Sequence, residues 1–159
     1  MLNKEQIKKL EIQASEICEK TVELIYNGGG GHIGGDLSEV DIMVSLFNYM
    51  KHDPKNPKWS GRDYFILSKG HSSETYYTLL SEYGYIDKTL LGKYGTFGSV
   101  LGGHPNKKIP GVEANTGSLG HGLGLASGIA LALKRDGMPN RVYVLTGDGE
   151  LGEGSNWEA

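Results

Sequence analysis

The sequence predicts an α/β fold, a parallel sheet flanked by helices, and two observations carry that reading. Short apolar runs, Tyr64-Phe65-Ile66-Leu67-Ser68 and Arg141 to Thr146, alternate with longer stretches of helical periodicity, the pattern of strand–helix–strand units. The second run, Val142-Tyr143-Val144-Leu145, leads straight into Gly147-Asp148-Gly149. That puts a carboxylate at the C-terminal end of a buried strand, where open α/β sheets bind ligands. Two strands are too few for a complete sheet. The 159 residues, 1–159, therefore read as part of one domain whose sheet is completed elsewhere.

Each element has its own signal. Ile7, Leu10, Ala14, Ile17, Thr21 and Leu24 form the stripe of an amphipathic helix, which Asn27-Gly28 should stop. Gly28 to Gly31 then lead to His32. A second helix is expected from Ser38, with Asp41 as a capping-box-like partner, to about Met50. Pro54 and Pro57 mark a loop before the first strand. Ser72 or Ser73 should cap the helix after it, which stops near Gly84, and Asp87 should cap a short helix over Leu90 and Leu91. Leu91 to Pro110 reads as loop. A helix from about Leu119 to Arg135 feeds the second strand, and another should follow Gly147-Asp148-Gly149. Gly120, Gly124, Gly128 and Ala132, four residues apart, form a small-residue stripe that lets a neighbouring backbone approach, in a partner or in the domain's own sheet.

Composition narrows the function classes. Glycine contributes 25 residues, clustered beside histidines and in turns without a repeat, as expected where backbone approaches a ligand or neighbouring chain. A net charge of −3 gives no footprint for nucleic acid, and the lysines of Lys51 to Lys58 read as a solvated loop. Cys18 alone cannot form an internal disulfide, falls in a helical pattern and fits core packing in a reducing compartment. The start at Met1-Leu2-Asn3-Lys4-Glu5 shows no apolar signal region. Ala114 to Leu133 lacks formal charge over nearly the length of a membrane span, but its polar, glycine-rich opening reads as a buried loop and helix. A cytoplasmic protein without membrane or nucleic-acid partners is expected.

The loop after the second strand formally matches Gly147-x-Gly149-x-x-Gly152, a dinucleotide fingerprint. Yet it carries Asp148, Glu150 and Glu153, which would repel a bare pyrophosphate. A hard divalent cation, Mg²⁺ above all, bridges carboxylate and phosphate oxygens. The acidic loop is thus read as a metal–diphosphate site, with a dinucleotide site or a ligand-free turn as alternatives. Four of the five histidines directly follow glycine: His32, His71, His104 and His121. Each could be a hydrogen-bonded loop residue; together with Asp148 they favour a proton-handling site. His52 lacks that context and is expected in solvent. No His-Glu-x-x-His or Cys-x-x-Cys spacing supports zinc.

In order along the chain, Gly31-His32-Ile33-Gly34-Gly35, Leu67-Ser68-Lys69-Gly70-His71, Gly103-His104-Pro105 with Pro110-Gly111-Val112-Glu113 and Thr116-Gly117-Ser118-Leu119-Gly120, and Gly147-Asp148-Gly149-Glu150 through Trp157-Glu158-Ala159 resemble the blocks of the transketolase family's N-terminal half. The resemblance implies a thiamine diphosphate-binding fold with thiamine diphosphate and Mg²⁺ as cofactors. It implies Asp148 as metal ligand, Gly147 and Gly149 offering backbone to the diphosphate, and Gly117, Ser118 and Leu119 on the pyrimidine side. His71 would sit near diphosphate and thiazolium, His32 and His104 at the sugar's oxygens, and Glu153 in a carboxylate network across a dimer. The implied reaction moves a two-carbon ketol unit from a ketose to an aldose, sugars or sugar phosphates. The family's asparagine metal ligand and its pyrimidine-binding domain lie outside this sequence. His121 and the direct entry into the first helix are similar to two-subunit transketolases, so a C-terminal subunit partner and a dimer or heterotetramer are expected. A non-catalytic assembly fragment and a related thiamine enzyme, such as a deoxyxylulose-phosphate synthase, are the alternatives.

Overall fold

The computed structural model describes residues 2–159. Helix α1, Lys4–Gly28, opens on a capping box: the Asn3 side chain accepts from the Gln6 N–H, and the Gln6 side chain accepts from the Asn3 N–H, both at 2.9 Å. Gly29, at φ 76°, closes it in the left-handed conformation that only glycine adopts freely. Its buried face is Ala14, Ile17, Thr21 and Leu24, as the stripe predicts, whereas Ile7 remains exposed. Cys18 packs half-buried against the core.

Helix α2, Ile33–Tyr49, begins well before Ser38. Local propensity disfavours Gly34-Gly35 in a helix, and tertiary packing overrides it. A Cβ on Gly35 would stand 3.4 Å from both the His71 ring and the Ser72 Cβ, so the first turn of α2 packs directly against that loop. Ser38 is consequently no cap; its hydroxyl donates to the Gly35 carbonyl at 2.8 Å.

Strands β1, Tyr64–Leu67, and β2, Val142–Leu145, pair in parallel with Tyr64 opposite Val142 and Leu67 opposite Leu145. Both thus end at one level, beside Ser68 and Thr146. Phe65 to Leu67 are buried, whereas β2 is half-buried along its length. Helix α3, Ser73–Glu82, follows β1 and is buried along nearly its whole length. Neither serine caps it through its side chain; Ser72 Oγ instead lies 2.9 Å from Glu39 Oε2 and 3.0 Å from the Lys69 carbonyl. Asp87 does cap the 3₁₀ turn Lys88–Lys93, accepting from the Thr89 N–H at 2.7 Å.

Helices α1, α2 and α3 enclose the core, in which Phe47, Phe65 and Tyr76 meet edge to face around Met43, Leu79 and Leu80. Burying each such side chain fully contributes about 1.5–3 kcal/mol. His52 joins this aromatic group rather than solvent. Its Nε2 is 2.8 Å from the Phe47 carbonyl and its Nδ1 2.9 Å from the Tyr85 hydroxyl, with the two rings stacked.

Helix α4, Gly122–Arg135, starts after Leu119 because Gly120, at φ 85°, turns the chain first. Only Gly122 and Ala126 of this helix are buried, while Leu125 and Leu131 are exposed, so the segment Ala114 to Leu133 is not the buried helix expected. The small residues explain the geometry: a Cβ on Gly122 would come within 2.3 Å of Ser68 Oγ, and the helix lies close on the sheet there. A 3₁₀ turn, Gly149–Gly152, and helix α5, Gly154–Glu158, follow β2. Among the described residues no helix is long and apolar enough to cross a membrane.

Candidate functional site

A cavity of about 630 Å³ opens at the C-terminal ends of both strands. Gly35 and Ser38 of α2, Lys69 and His71 after β1, Leu119 before α4, and Gly147, Asp148 and Gly149 after β2 all face it. Four segments far apart in sequence meet because the parallel register aligns the two strand ends, the position where such sheets bind ligands. Asp148 is exposed, and its side chain makes no capping bond to the turn it opens.

The histidines converge. His32 stands at the start of α2, with its ring centroid 5.2 Å from that of His71. His104 reaches the same place from the long loop: a Cβ on Gly117 would fall 2.2 Å from His104 Cδ2. Gly117 takes φ 131°, a conformation that excludes other residues there on backbone grounds as well. Gly70 allows a similar approach, since a Cβ would meet the Thr116 carbonyl carbon at 2.6 Å and the Gly117 nitrogen at 2.7 Å. Beside it the Thr116 hydroxyl is buried with no partner. His71 titrates below the ordinary histidine range, chiefly through burial, then through the neighbouring His32 and Lys69.

Glu150 departs most from expectation. It is buried, not turned towards a diphosphate. Its Oε1 accepts from Ser68 Oγ at 2.6 Å and the Gly120 N–H at 2.9 Å, and its Oε2 from the Gly147 N–H at 2.9 Å. Repulsion by the loop therefore comes from Asp148 and Glu153, the latter exposed at the start of α5 with its Cβ against Gly120. Ser118 lies on the far side of the 116–120 turn, in a second cavity of about 610 Å³ with Asn115, His121 and Gly124. His121 is exposed there and stays apart from the other three histidines.

Along the inner wall of the cavity and into the core beyond it runs a buried polar layer that sequence reasoning missed. Lys69 Nζ meets the Gly35 carbonyl at 2.6 Å, Glu39 Oε2 at 3.0 Å and Ser38 Oγ at 3.1 Å. Burial pushes the Glu39 carboxyl up to about 8, against the opposing pull of Lys69 and Ser72. Asp36, which accepts from the Thr75 N–H at 2.9 Å, is raised to about 7 by burial and by neighbouring Glu74. Glu74 in turn accepts from the Tyr94 hydroxyl. The available signal was a lysine directly after a buried strand and two acids on the apolar side of α2, groups that must find partners if buried.

Comparison with known proteins agrees with this geometry. Residues 10–159 match the family described as transketolase, thiamine diphosphate binding domain. The chain is 53% identical over 154 residues to an apulose-4-phosphate transketolase subunit of Actinobacillus succinogenes, covering 95% of this chain and 56% of that protein. It is 45% identical over 155 residues to the subunit of the same name from Phocaeicola vulgatus, covering 97% and 55%. The chain thus spans about half the length of these curated relatives. The crystal structure of transketolase from Campylobacter jejuni superposes with a TM-score of 0.90 at 34% identity, over 94% of this chain and 25% of that one. With the domain match running nearly end to end, the chain belongs to the transketolase family and carries its thiamine diphosphate binding domain.

Proposed function

We propose that this chain provides the diphosphate- and metal-binding part of a thiamine diphosphate- and Mg²⁺-dependent transketolase that moves a two-carbon ketol unit from a ketose to an aldose. The observation that carries the reading is the convergence of Lys69, His71, Leu119 and Gly147 to Gly149 on one cavity. The residues fit the cofactor: an exposed carboxylate beside backbone free of side chains, an orphaned Thr116 hydroxyl, and glycines where a Cβ would obstruct. Among the described residues no three His, Cys, Asp or Glu side chains form a metal cluster, and Asp148 is the carboxylate these residues would offer to a cation bridged to the diphosphate.

In this reading Asp148 holds Mg²⁺, and the Gly147 and Gly149 backbone faces the diphosphate. Gly117, Ser118 and Leu119 border the pyrimidine side, and Glu153 is available to a carboxylate network across the subunit contact. Bound thiamine diphosphate supplies the nucleophilic carbon and the electron sink for C–C cleavage. His71 would lie near the diphosphate and thiazolium, its titration lowered chiefly by burial. His32 and His104 take protons from the substrate's hydroxyls and return them to its carbonyl oxygen. The relatives' names, each a subunit of an apulose-4-phosphate transketolase, support a partner subunit; in this reading it is the C-terminal subunit with the pyrimidine-binding domain, and the two form a cytoplasmic dimer or heterotetramer of carbohydrate metabolism.

Calorimetry of the chain assembled with that partner tests the proposal, with thiamine diphosphate titrated with and without Mg²⁺, followed by an assay of ketol transfer between sugar phosphates. Magnesium-dependent binding and transfer are expected. A folded assembly with neither would overturn the reading.

A further inference from the structure

We infer that Glu150 is a positioning residue that holds three cofactor-facing segments in register from the inner wall of the site, an inference that rests on the thiamine diphosphate reading above. The carboxylate is 2% exposed and every bond it accepts comes from a different segment: Ser68 after β1, Gly120 before α4 and Gly147 after β2. Each tethered residue directly precedes or follows one that lines the cavity, namely Lys69, Leu119 and Asp148. Two further bonds anchor the arrangement. Ser68 Oγ also accepts from the Gly122 N–H at 3.1 Å, which fixes the start of α4. Asn156 Nδ2 donates to the Glu150 carbonyl at 2.6 Å, which fixes the turn that carries Glu150 itself.

The chemistry requires a carboxylate at this point. Two N–H groups and one hydroxyl aim at it, and an ionised carboxyl group is acceptor-only on both oxygens. Glutamine has nearly the same shape but one oxygen. Whichever way its amide turns, its NH₂ faces a backbone donor, Gly147 in one orientation and Gly120 in the other. One segment is released in either case. Glu150 itself borders the cavity, but both of its carboxylate oxygens are taken up by donors of these loops.

The test uses the assembled protein and reads two quantities: Mg²⁺-dependent affinity for thiamine diphosphate by calorimetry, and hydrogen exchange at the Gly120 and Gly147 amides in the cofactor-free state. Glu150→Gln is expected to weaken binding about 10–100-fold, the scale of residues that orient metal ligands, and to speed exchange at one or both glycines. Ser68→Ala, which removes one tether and leaves the carboxylate, should give a smaller shift of the same kind and serves if Glu150→Gln does not fold. Unchanged affinity in Glu150→Gln, or weaker affinity with both glycine amides as protected as in the parent, would overturn the role. A parent protein without Mg²⁺-dependent binding would instead refute the cofactor assignment, and the amide exchange would still report whether Glu150 holds the loops.

Discussion

His32 and His71 meet edge to face, with ring centroids 5.2 Å apart and planes inclined by 67°. One comes from the start of α2 and the other from the loop after β1, so their proximity is a product of the fold. The contact contributes to keeping His71 neutral, after burial and alongside Lys69 and His104, while Glu150 pulls the other way. His32→Ala removes one of these opposing charges and should raise the His71 titration midpoint. Histidine-resolved NMR titration measures it. An unmoved midpoint would mean that burial alone sets the charge of His71.

The buried layer along the inner wall of the site predicts an opposite pH dependence of stability. Asp36 binds a proton in the folded chain up to about 7, whereas an unfolded aspartate releases it near 3.8. Its contribution to stability is therefore complete below 3.8 and lost as pH rises to about 7. Asp36→Asn mimics the protonated form and can still accept from the Thr75 N–H. Denaturant midpoints of the variant should match the parent near pH 3, below the unfolded aspartate's 3.8, and exceed it increasingly as pH rises to about 7.

Asp148→Ala should abolish Mg²⁺-dependent binding of thiamine diphosphate, a loss beyond the roughly 10–100-fold that orienting residues contribute. Both Glu150 oxygens are engaged by protein donors, so the bare diphosphate would then have Lys69 beside it and no carboxylate-held cation. Calorimetry on the assembled protein checks this. Retained affinity would remove Asp148 as the metal ligand.

His32→Ala and His104→Ala should lower ketol-transfer turnover by about 10²- to 10⁴-fold while cofactor affinity stays near that of the parent, as expected for groups that move substrate protons. Steady-state kinetics beside calorimetry separates the two effects. Full turnover in both variants would make these histidines structural.

The small-residue stripe expected on α4 is only partly on that helix. Gly120 precedes it; Gly124 and Gly128 lie on it, and both are exposed, with only the Ala159 Cβ near Gly124 at 3.9 Å. The sheet-facing positions are Gly122 and Ala126 instead. Gly124→Leu should therefore leave folding intact by circular dichroism and block association with a partner subunit in light-scattering chromatography. Normal assembly of the variant would exclude this face from the contact.

Much was legible in the sequence because it is local. The alternation of apolar runs with helical stripes specified two parallel strands and their helices, since periodicity reports which face is buried. Gly147-Asp148-Gly149 after a strand located the exposed carboxylate, and glycines beside His32, His71 and His104 marked loops built for close approach. What the sequence could not decide is which distant groups meet. Periodicity assigns no partners to Asp36, Glu39, Lys69 and Glu74, and Glu150 reads as part of an acidic diphosphate loop, yet all are buried, each with a partner supplied by another element. His52 reads as solvated, yet Phe47 and Tyr85 hold it. Glu150 shows the reason most directly: its side chain lies in an acidic loop, but its direction is set by Ser68 and Gly120, whose donors only the packed sheet and α4 bring within reach. A buried charge follows its hydrogen-bond partners, and those partners exist only once the tertiary structure has formed.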